Sequence, residues 1–189
     1  MVRFHNNKKG IRVLAIAESF KKQDKKSILA GIVMRRDFIV DGFIYGYVTV
    51  GGNDSTDIVL SMIDRLGRND INCVLLGGLI ISLFNIINGR YINEITGLPV
   101  IGISYKRSLA LKDSLYRINE KQKIHDYLKL DERNPLILWT GKTIFVRHWG
   151  ITFSDTSSLI NSLVLQGAKP EPLRLAALAA RAHRNFVER

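Results

Sequence analysis

The order of strand-like and helix-like segments constrains the fold of this chain more than any other feature of its sequence. Three strand-like segments come first, over Arg12–Ala17, Ile28–Met34 and Phe38–Val50. Their short connections favour antiparallel pairing. From residue 53 onward, helix-like segments alternate with strand-like ones, which is typical of parallel strands joined by right-handed crossovers. The sequence therefore predicts an α/β fold with three antiparallel strands followed by two parallel ones.

The first predicted helix begins in the segment Asn53–Asp57. Asp54 is a candidate N-cap residue, Asp57 lies in the first turn, and Gly67 is suited to end the helix. A buried strand over Asn72–Leu76 follows. The later segments are predicted as a helix over Asn85–Thr96, a strand over Val100–Ser104, a helix over Leu109–Ile118, a helix around Ile124–Leu128, a strand over Leu136–Val146, and helices over Thr156–Leu165 and Leu173–Val187.

The composition is that of a folded protein with a strong positive charge. Apolar residues make up 46% of the 189 residues and charged residues 24%, which argues against disorder. We expect a single domain over residues 1–189, with residues 1–10 as a basic, flexible N-terminus. The 28 Lys and Arg residues exceed the 17 Asp and Glu residues, giving a net charge of +11. This excess favours a polyanionic partner.

The sequence argues against several other classes of protein. The N-terminus lacks the apolar stretch of a signal peptide. The longest apolar run, Cys73–Phe84, is shorter than the roughly 18 residues that span a bilayer. A single cysteine cannot form an internal disulfide, and no pair of histidines has the spacing of zinc ligands. We therefore expect a cytoplasmic protein with no membrane association and no zinc site.

Four segments of the chain carry a recognisable pattern: Arg12–Ser19, Gly51–Asp57, Gly77–Asn85 and Pro170–Ala176. Together they resemble an archaeal family of uncharacterised proteins, the domain of unknown function ninety-nine, which is related to endonuclease V. The fourth segment is the most specific, since endonuclease V has a similar element. The resemblance implies a ribonuclease H-like fold: a mixed five-stranded sheet flanked by helices, with extra C-terminal strands and helices.

The resemblance also implies where a metal-dependent nuclease site would lie. Relatives carry an aspartate on the first strand, an acidic residue near the start of the first helix, and an aspartate on the fourth strand. Such carboxylates hold magnesium against a phosphodiester. In this chain Ala17 replaces the first aspartate, with Glu18 next to it, and the third position falls at Gly77 or Gly78. Strand alternation directs Glu18 to the opposite face from residue 17 unless the strand ends there.

The candidate catalytic residues are therefore Glu18, Asp54 and Asp57. Asp54 or Asp57 can match the second position of the relatives, although both also suit helix capping. A histidine that some relatives carry in the C-terminal segment is Ala177 here. These carboxylates are too few for a near-octahedral magnesium site, so the sequence predicts neither a metal site nor another cofactor.

Basic residues cluster after two predicted strands. The first 26 residues contain eight basic and two acidic side chains, a net charge of +6. Basic side chains following strand ends are suited to neutralise the phosphates of DNA or RNA. The nucleic-acid-binding candidates are Lys21, Lys22, Lys25, Lys26, Lys106, Arg107 and Lys112. Glu171 and Arg174 are predicted to brace the last helix instead.

Three functions remain open at this point. The first is a nuclease-like protein with a degenerate metal site that binds nucleic acid without cleaving it. The second is an active endonuclease on damaged or structured nucleic acid, with magnesium or manganese held by Glu18, Asp54 and Asp57. The third is an interaction or scaffold protein that uses the alanine-rich side of the last helix to bind a protein partner or a second copy.

Overall fold

A computed structural model describes residues 10–106 and 120–187. Nine strands and five helices lie within these two ranges. The strands are β1 (Arg12–Ser19), β2 (Lys26–Arg35), β3 (Val40–Thr49), β4 (Cys73–Leu76), β5 (Ile80–Ile81), β6 (Asn85–Ile86), β7 (Val100–Ser104), β8 (Asn134–Ile137) and β9 (Thr143–Trp149). The helices are α1 (Ser55–Leu66), α2 (Gly89–Thr96), α3 (Lys121–Leu128), α4 (Phe153–Leu163) and α5 (Glu171–Val187). None of these helices is both long enough and apolar enough to cross a membrane.

Seven of the strands form one mixed sheet in the order β3-β2-β1-β4-β7-β9-β8. Strands β1, β2 and β3 pair antiparallel, and β4 and β7 then add parallel to β1. The predicted order of the first five strands is therefore confirmed. The C-terminal strands β9 and β8 extend the same sheet by antiparallel pairing, so it has seven strands and not five.

Two segments differ from the sequence prediction. Leu136–Val146 was expected to be one strand, but it spans most of a hairpin, because Gly141 adopts a left-handed φ of 76° and its N–H donates to Leu138 O at 2.9 Å. The helix expected from Asn85 starts only at Gly89. Asn85 belongs instead to the small β5–β6 hairpin, and the Asn88 side chain caps α2 by accepting from Tyr91 N. The helix predicted over 109–118 lies outside the described residues.

Strand β1 lies in the middle of the sheet and is buried on both faces. Leu14 and Ile16 pack towards α1 and α2 with Met62. Val13, Ala15 and Ala17 pack on the other face, in the cluster that includes residues of α4 and α5. This arrangement explains why β1 reads as an almost continuous apolar run.

The C-terminal ends of β1, β4 and β7 lie at the same edge of the sheet, because these strands are parallel. Strand β3 ends there too, since both β1 and β3 pair antiparallel with β2. We call this the carboxyl edge. It carries the β1–β2 turn, the loop before α1, the segment after Leu76 and the residues after Ser104. All three candidate carboxylates and the basic β1–β2 turn are therefore placed at or beside one edge.

Close packing of α2 on β9 yields a test of the fold. A Cβ added at Gly89 would lie 2.6 Å from Cε3 of the buried Trp149 ring, and Trp149 is held by a hydrogen bond to Asp131. We expect Gly89→Ala to lower the free energy of unfolding by about 1–3 kcal/mol through overpacking, although alanine normally favours a helix. Urea denaturation measures this. The control, Ile95→Ala at an exposed position of α2, should change the free energy of unfolding by less than about 0.5 kcal/mol. Equal effects of the two substitutions would show that Gly89 is not closely packed against Trp149.

Candidate functional site

Residues 17 and 77, two positions at which the resemblance implies strand aspartates, meet in space, and both lack a polar side chain. Residues 16 and 76 are paired across β1 and β4, and Gly77 N donates to Ile16 O at 2.9 Å. A Cβ at Gly77 would lie 3.5 Å from Ala17 Cβ and 3.5 Å from Leu173 Cδ2. Ala17 and Leu173 are buried. The place that the resemblance assigns to metal-binding carboxylates is therefore lined by methyl groups.

Glu18 lies on the opposite face of β1 from Ala17. The strand continues to Ser19, so the expectation from strand alternation is confirmed. Its Oε2 accepts hydrogen bonds from Ser82 N at 3.0 Å, Ser82 Oγ at 2.6 Å and Ser27 Oγ at 3.2 Å. Burial raises the pKa of Glu18, and these hydrogen bonds oppose the rise without cancelling it.

The segment that holds Glu18 is strained. Ser82, Leu83 and Phe84 have φ values of 44°, 56° and 69°, and side-chain-bearing residues rarely adopt the left-handed region. A hydrogen bond from Gly51 N to Ser82 O at 2.7 Å ties the segment to the loop before α1. Such strain persists only where surrounding contacts enforce it. No motif in the sequence reveals this conformation.

Asp54 does not cap α1 with its side chain, so that part of the sequence prediction is wrong. Its backbone is near-helical, with φ −98° and ψ 0°, whereas a capping residue normally adopts the β region. The carboxylate turns back and accepts from Thr49 N at 3.1 Å, Thr49 Oγ1 at 2.7 Å and Asn85 Nδ2 at 2.7 Å. Asn85 Oδ1 accepts from Ser55 N instead. Partial burial raises the pKa of Asp54, but the hydrogen bonds from Thr49 and Asn85 outweigh it and lower the pKa.

Two ammonium groups lie against the loop before α1. Lys26 Nζ donates to Thr49 Oγ1 at 2.9 Å and lies 4.0 Å from Asp54 Oδ2. The buried Lys123 Nζ donates to Gly51 O at 2.6 Å and pairs with Glu120 at 2.9 Å. Lys26, predicted to contact nucleic acid, is thus directed towards the Asp54 site. Lys123 was not identified from the sequence.

Asp57 stays apart from the other two candidate carboxylates. Its exposed side chain lines a shallow cavity of about 230 Å³ with Asn88 and Asp126. Within the described ranges it forms no hydrogen bond or ion pair with Glu18 or Asp54. No group of three or more Asp, Glu, His or Cys side chains within 10–106 and 120–187 is arranged to hold a metal ion.

The other lysine candidates line the carboxyl edge. Lys21, Lys22 and Lys25 are exposed in the β1–β2 turn, which is closed by Lys21 N donating to the Asp24 carboxylate. Lys106 is exposed directly after β7. Arg107 and Lys112 lie outside the described residues.

The C-terminal motif forms a local ion pair. Arg174 Nε and a terminal nitrogen donate to the two carboxylate oxygens of Glu171 at 2.8 and 2.5 Å, on the first turn of α5. Arg174 lowers the pKa of Glu171 by hydrogen bonding. The pair flanks Leu173, which packs in the same buried cluster as Ala17.

Comparison with known proteins identifies the family. The Endonuclease dU family profile matches residues 9–184. The chain belongs to the Endonuclease dU family. It is 32% identical over 185 residues to a UPF0215 protein of Pyrobaculum calidifontis, covering 93% of this chain and 98% of that one. A crystal structure of a protein of unknown function from Archaeoglobus fulgidus has a TM-score of 0.79 at 25% identity, covering 92% and 98%.

The Endonuclease dU fold is also that of endonuclease V. The crystal structure of Ciona intestinalis Endonuclease V, in complex with a 24mer DNA containing an inosine followed by a ribo-adenosine, has a TM-score of 0.63 at 11% identity. The match covers 95% of this chain and 88% of that one. The predicted family and its structural relation to endonuclease V are therefore confirmed.

The two partly buried carboxylates Glu18 and Asp54 of this Endonuclease dU protein should change its stability with pH in opposite directions. Because folding raises the pKa of Glu18 from its ordinary value of 4.5, the protonated side chain contributes stability that is fully present below pH 4.5. This contribution is lost as the pH rises through the folded-state pKa. Glu18→Gln keeps an acceptor oxygen and removes the charge. We expect the free energy of unfolding of the wild type to fall relative to Glu18→Gln as the pH rises above about 4.5.

Asp54→Asn is the matched variant of opposite sign. Because folding lowers the pKa of Asp54 from its ordinary value of 3.8, the ionised side chain contributes stability that is present above pH 3.8. This contribution is lost as the pH falls through the folded-state pKa. The wild type should therefore lose its advantage over Asp54→Asn on acidification. Urea unfolding across pH 3 to 7, about the range set by these pKa values, measures both differences. Slopes of the same sign would contradict the two environments described above.

Proposed function

We propose that this Endonuclease dU family protein binds nucleic acid at its carboxyl edge without cleaving it. The observation that carries the proposal is the close approach of Gly77 to Ala17 and Leu173 at the position of the expected metal site. Relatives are expected to hold metal ions against a phosphodiester at this place, and here it offers no oxygen ligand from a side chain. Lysines around the same edge supply positive charge without a metal.

The remaining carboxylates at the edge do not fit a magnesium ion. One oxygen of Glu18 takes three donors, and both oxygens of Asp54 take donors from Thr49. Lys26 Nζ lies 4.0 Å from Asp54, where its charge already compensates the carboxylate. Magnesium demands near-octahedral geometry from oxygen ligands, and these oxygens are committed within the protein. This donor arrangement favours the non-catalytic function over the nuclease alternative.

The charge distribution supports nucleic acid as the ligand. Lys21, Lys22 and Lys25 project from one short turn, and Lys106 is exposed at the end of β7 on the same edge. Lysines neutralise phosphates as point charges and give affinity without reading sequence. The solved Ciona intestinalis Endonuclease V complex contains DNA, which makes a nucleic acid the natural ligand class to test on the shared fold. DNA and RNA are both included in the test.

Binding should depend on salt and on the β1–β2 turn. We expect Lys22→Gln/Lys25→Gln to weaken binding of labelled single- and double-stranded DNA and RNA. It should reduce the slope of log Kd against log salt by about 2, because two phosphate contacts are lost. Fluorescence anisotropy between about 50 and 200 mM salt measures both effects. Arg36→Gln removes a charge that follows β2 at the opposite edge and should leave the slope unchanged.

Two results would overturn the proposal. One is the absence of binding by the wild type to every probe near physiological ionic strength. The other is cleavage with magnesium or manganese that disappears in Asp54→Ala, which would favour the active endonuclease.

Restoring the two lost carboxylates should restore a response to metal. We expect Ala17→Asp/Gly77→Asp to lower the melting temperature in EDTA, because two carboxylates would be crowded in a buried position. Millimolar manganese should raise it again by several degrees, since a ligand that binds only the folded state stabilises it. The wild type should show no such rise.

Ala17→Asn/Gly77→Asn is the control, because it adds side chains of the same size without adding charge. Size matters at residue 77, where a Cβ would lie only 3.3 Å from Ile16 O. Thermal unfolding with and without manganese measures all three proteins. A manganese response equal in the wild type and the Asp variant would contradict the lost-site interpretation.

A further inference from the structure

A second feature of the carboxyl edge is a cavity of about 330 Å³ beside Gly77. Gly77 and Gly78 border it on the β4 side, and Leu79 contributes apolar surface. Its charged side chains are Lys106, Arg133 and Arg147, and no acidic residue is among those that line it. We call it the basic pocket. The basic pocket adjoins the position where relatives are expected to bind a metal ion. The positive charge at this place comes from lysine and arginine side chains.

The two arginines of the basic pocket are held close to each other by the C-terminal strands. Arg147 lies on β9 opposite Gly102 of β7 and its Nε donates to Asp131 O. Arg133 precedes β8, donates to Lys106 O at 3.3 Å and lies 5.8 Å from the centre of the Phe145 ring. Strand pairing and these contacts therefore hold both arginines in place among the residues that line the cavity.

The charge of Arg147 is not neutralised by a direct ion pair. No carboxylate oxygen of the described residues lies within 4 Å of its guanidinium nitrogens. The Asp131 carboxylate is directed to Trp149 Nε1 at 2.5 Å and to Arg90 at 2.8 Å. Burial and the neighbouring charge of Arg133 lower the pKa of Arg147, and the nearby Tyr127 and Asp131 only partly offset this. An anion between the two guanidinium groups would relieve their repulsion.

The glycine side of the basic pocket leaves room for such an anion. Gly78 has a φ of 136°, a conformation that glycine alone adopts readily. A Cβ at Gly78 would meet no atom closer than 3.8 Å, so the space above the backbone is open. The volume of the cavity lies at the lower end of the range for small-molecule sites. It is larger than a phosphate group needs, so space remains for the attached sugar.

We propose that the basic pocket binds the phosphate group of a nucleotide, held by Arg133 and Arg147 with Lys106 at the rim. Arginine is suited to this because its planar fork donates two parallel hydrogen bonds to a phosphate. The inference rests on the proposed function, because it takes the nucleotide to be part of a nucleic acid. The phosphate is either an internal phosphodiester or a terminal phosphomonoester, and the two sources share this chemistry.

The test uses two probes at constant ionic strength. Adenosine monophosphate is titrated by calorimetry, and labelled oligonucleotides with and without a terminal phosphate are titrated by anisotropy. We expect Arg147→Gln to raise the Kd for both kinds of probe by about tenfold or more. Lys106→Gln, at an exposed position that does not threaten folding, should weaken both in the same direction. Arg65→Gln, at the far end of α1, should change neither.

The outcomes separate the pocket from the proposed function. Tighter binding of the oligonucleotide with a terminal phosphate, lost in Arg147→Gln, assigns the pocket to a strand end. Equal binding of both oligonucleotides, weakened in both variants, assigns it to an internal phosphodiester. Oligonucleotide binding that neither variant changes overturns the pocket but leaves the proposed function standing. Adenosine monophosphate binding through Arg147 without any oligonucleotide binding retains the pocket and overturns the proposed function.

Discussion

The parallel pairing of β1 with β4 is the constraint on which the rest of the molecule depends. It aligns residues 13–16 with 73–76 in a strand pair buried on both faces. Because the register continues past the strand ends, residues 17 and 77 come to lie side by side. Alternation along β1 then sends Glu18 to the other face. One backbone interaction thus decides both where a metal site would be and why the surviving glutamate is not part of it.

The carboxyl edge combines hydrogen-bonded carboxylates with positively charged side chains. Its two partly buried carboxylates, Glu18 and Asp54, accept hydrogen bonds from hydroxyl, amide and backbone donors, and these internal bonds occupy oxygens that would otherwise be open to a metal ion. Positive charge comes from side chains: lysines on the β1–β2 turn and arginines brought in by β8 and β9. Protein-borne charges of this kind attract phosphates but do not activate water as a metal does.

The sequence predicted the parts that depend on local pattern. Strand order, the family, the position of Ala17 and the alternation at Glu18 all follow from periodicity or from short motifs. Asp54 was misread because its residue type suits an N-cap, whereas the partner that captures its carboxylate, Asn85, lies 31 residues away. Arg133 and Arg147 were missed for a similar reason: antiparallel pairing of β9 with β7 brings them to the edge, and no local pattern encodes that pairing.

The left-handed run from Ser82 to Phe84 has a consequence for how the molecule opens. Each such residue is unfavourable by roughly 1–2 kcal/mol, so the run is stable only while its bonds to Gly51 and Glu18 are intact. Losing those anchors would release the strain at once, with no partly ordered form of the segment in between. The amide of Ser82, although outside the main sheet, should then exchange with solvent as slowly as those of the strands around it. Surface loop and core would belong to the same cooperative unit.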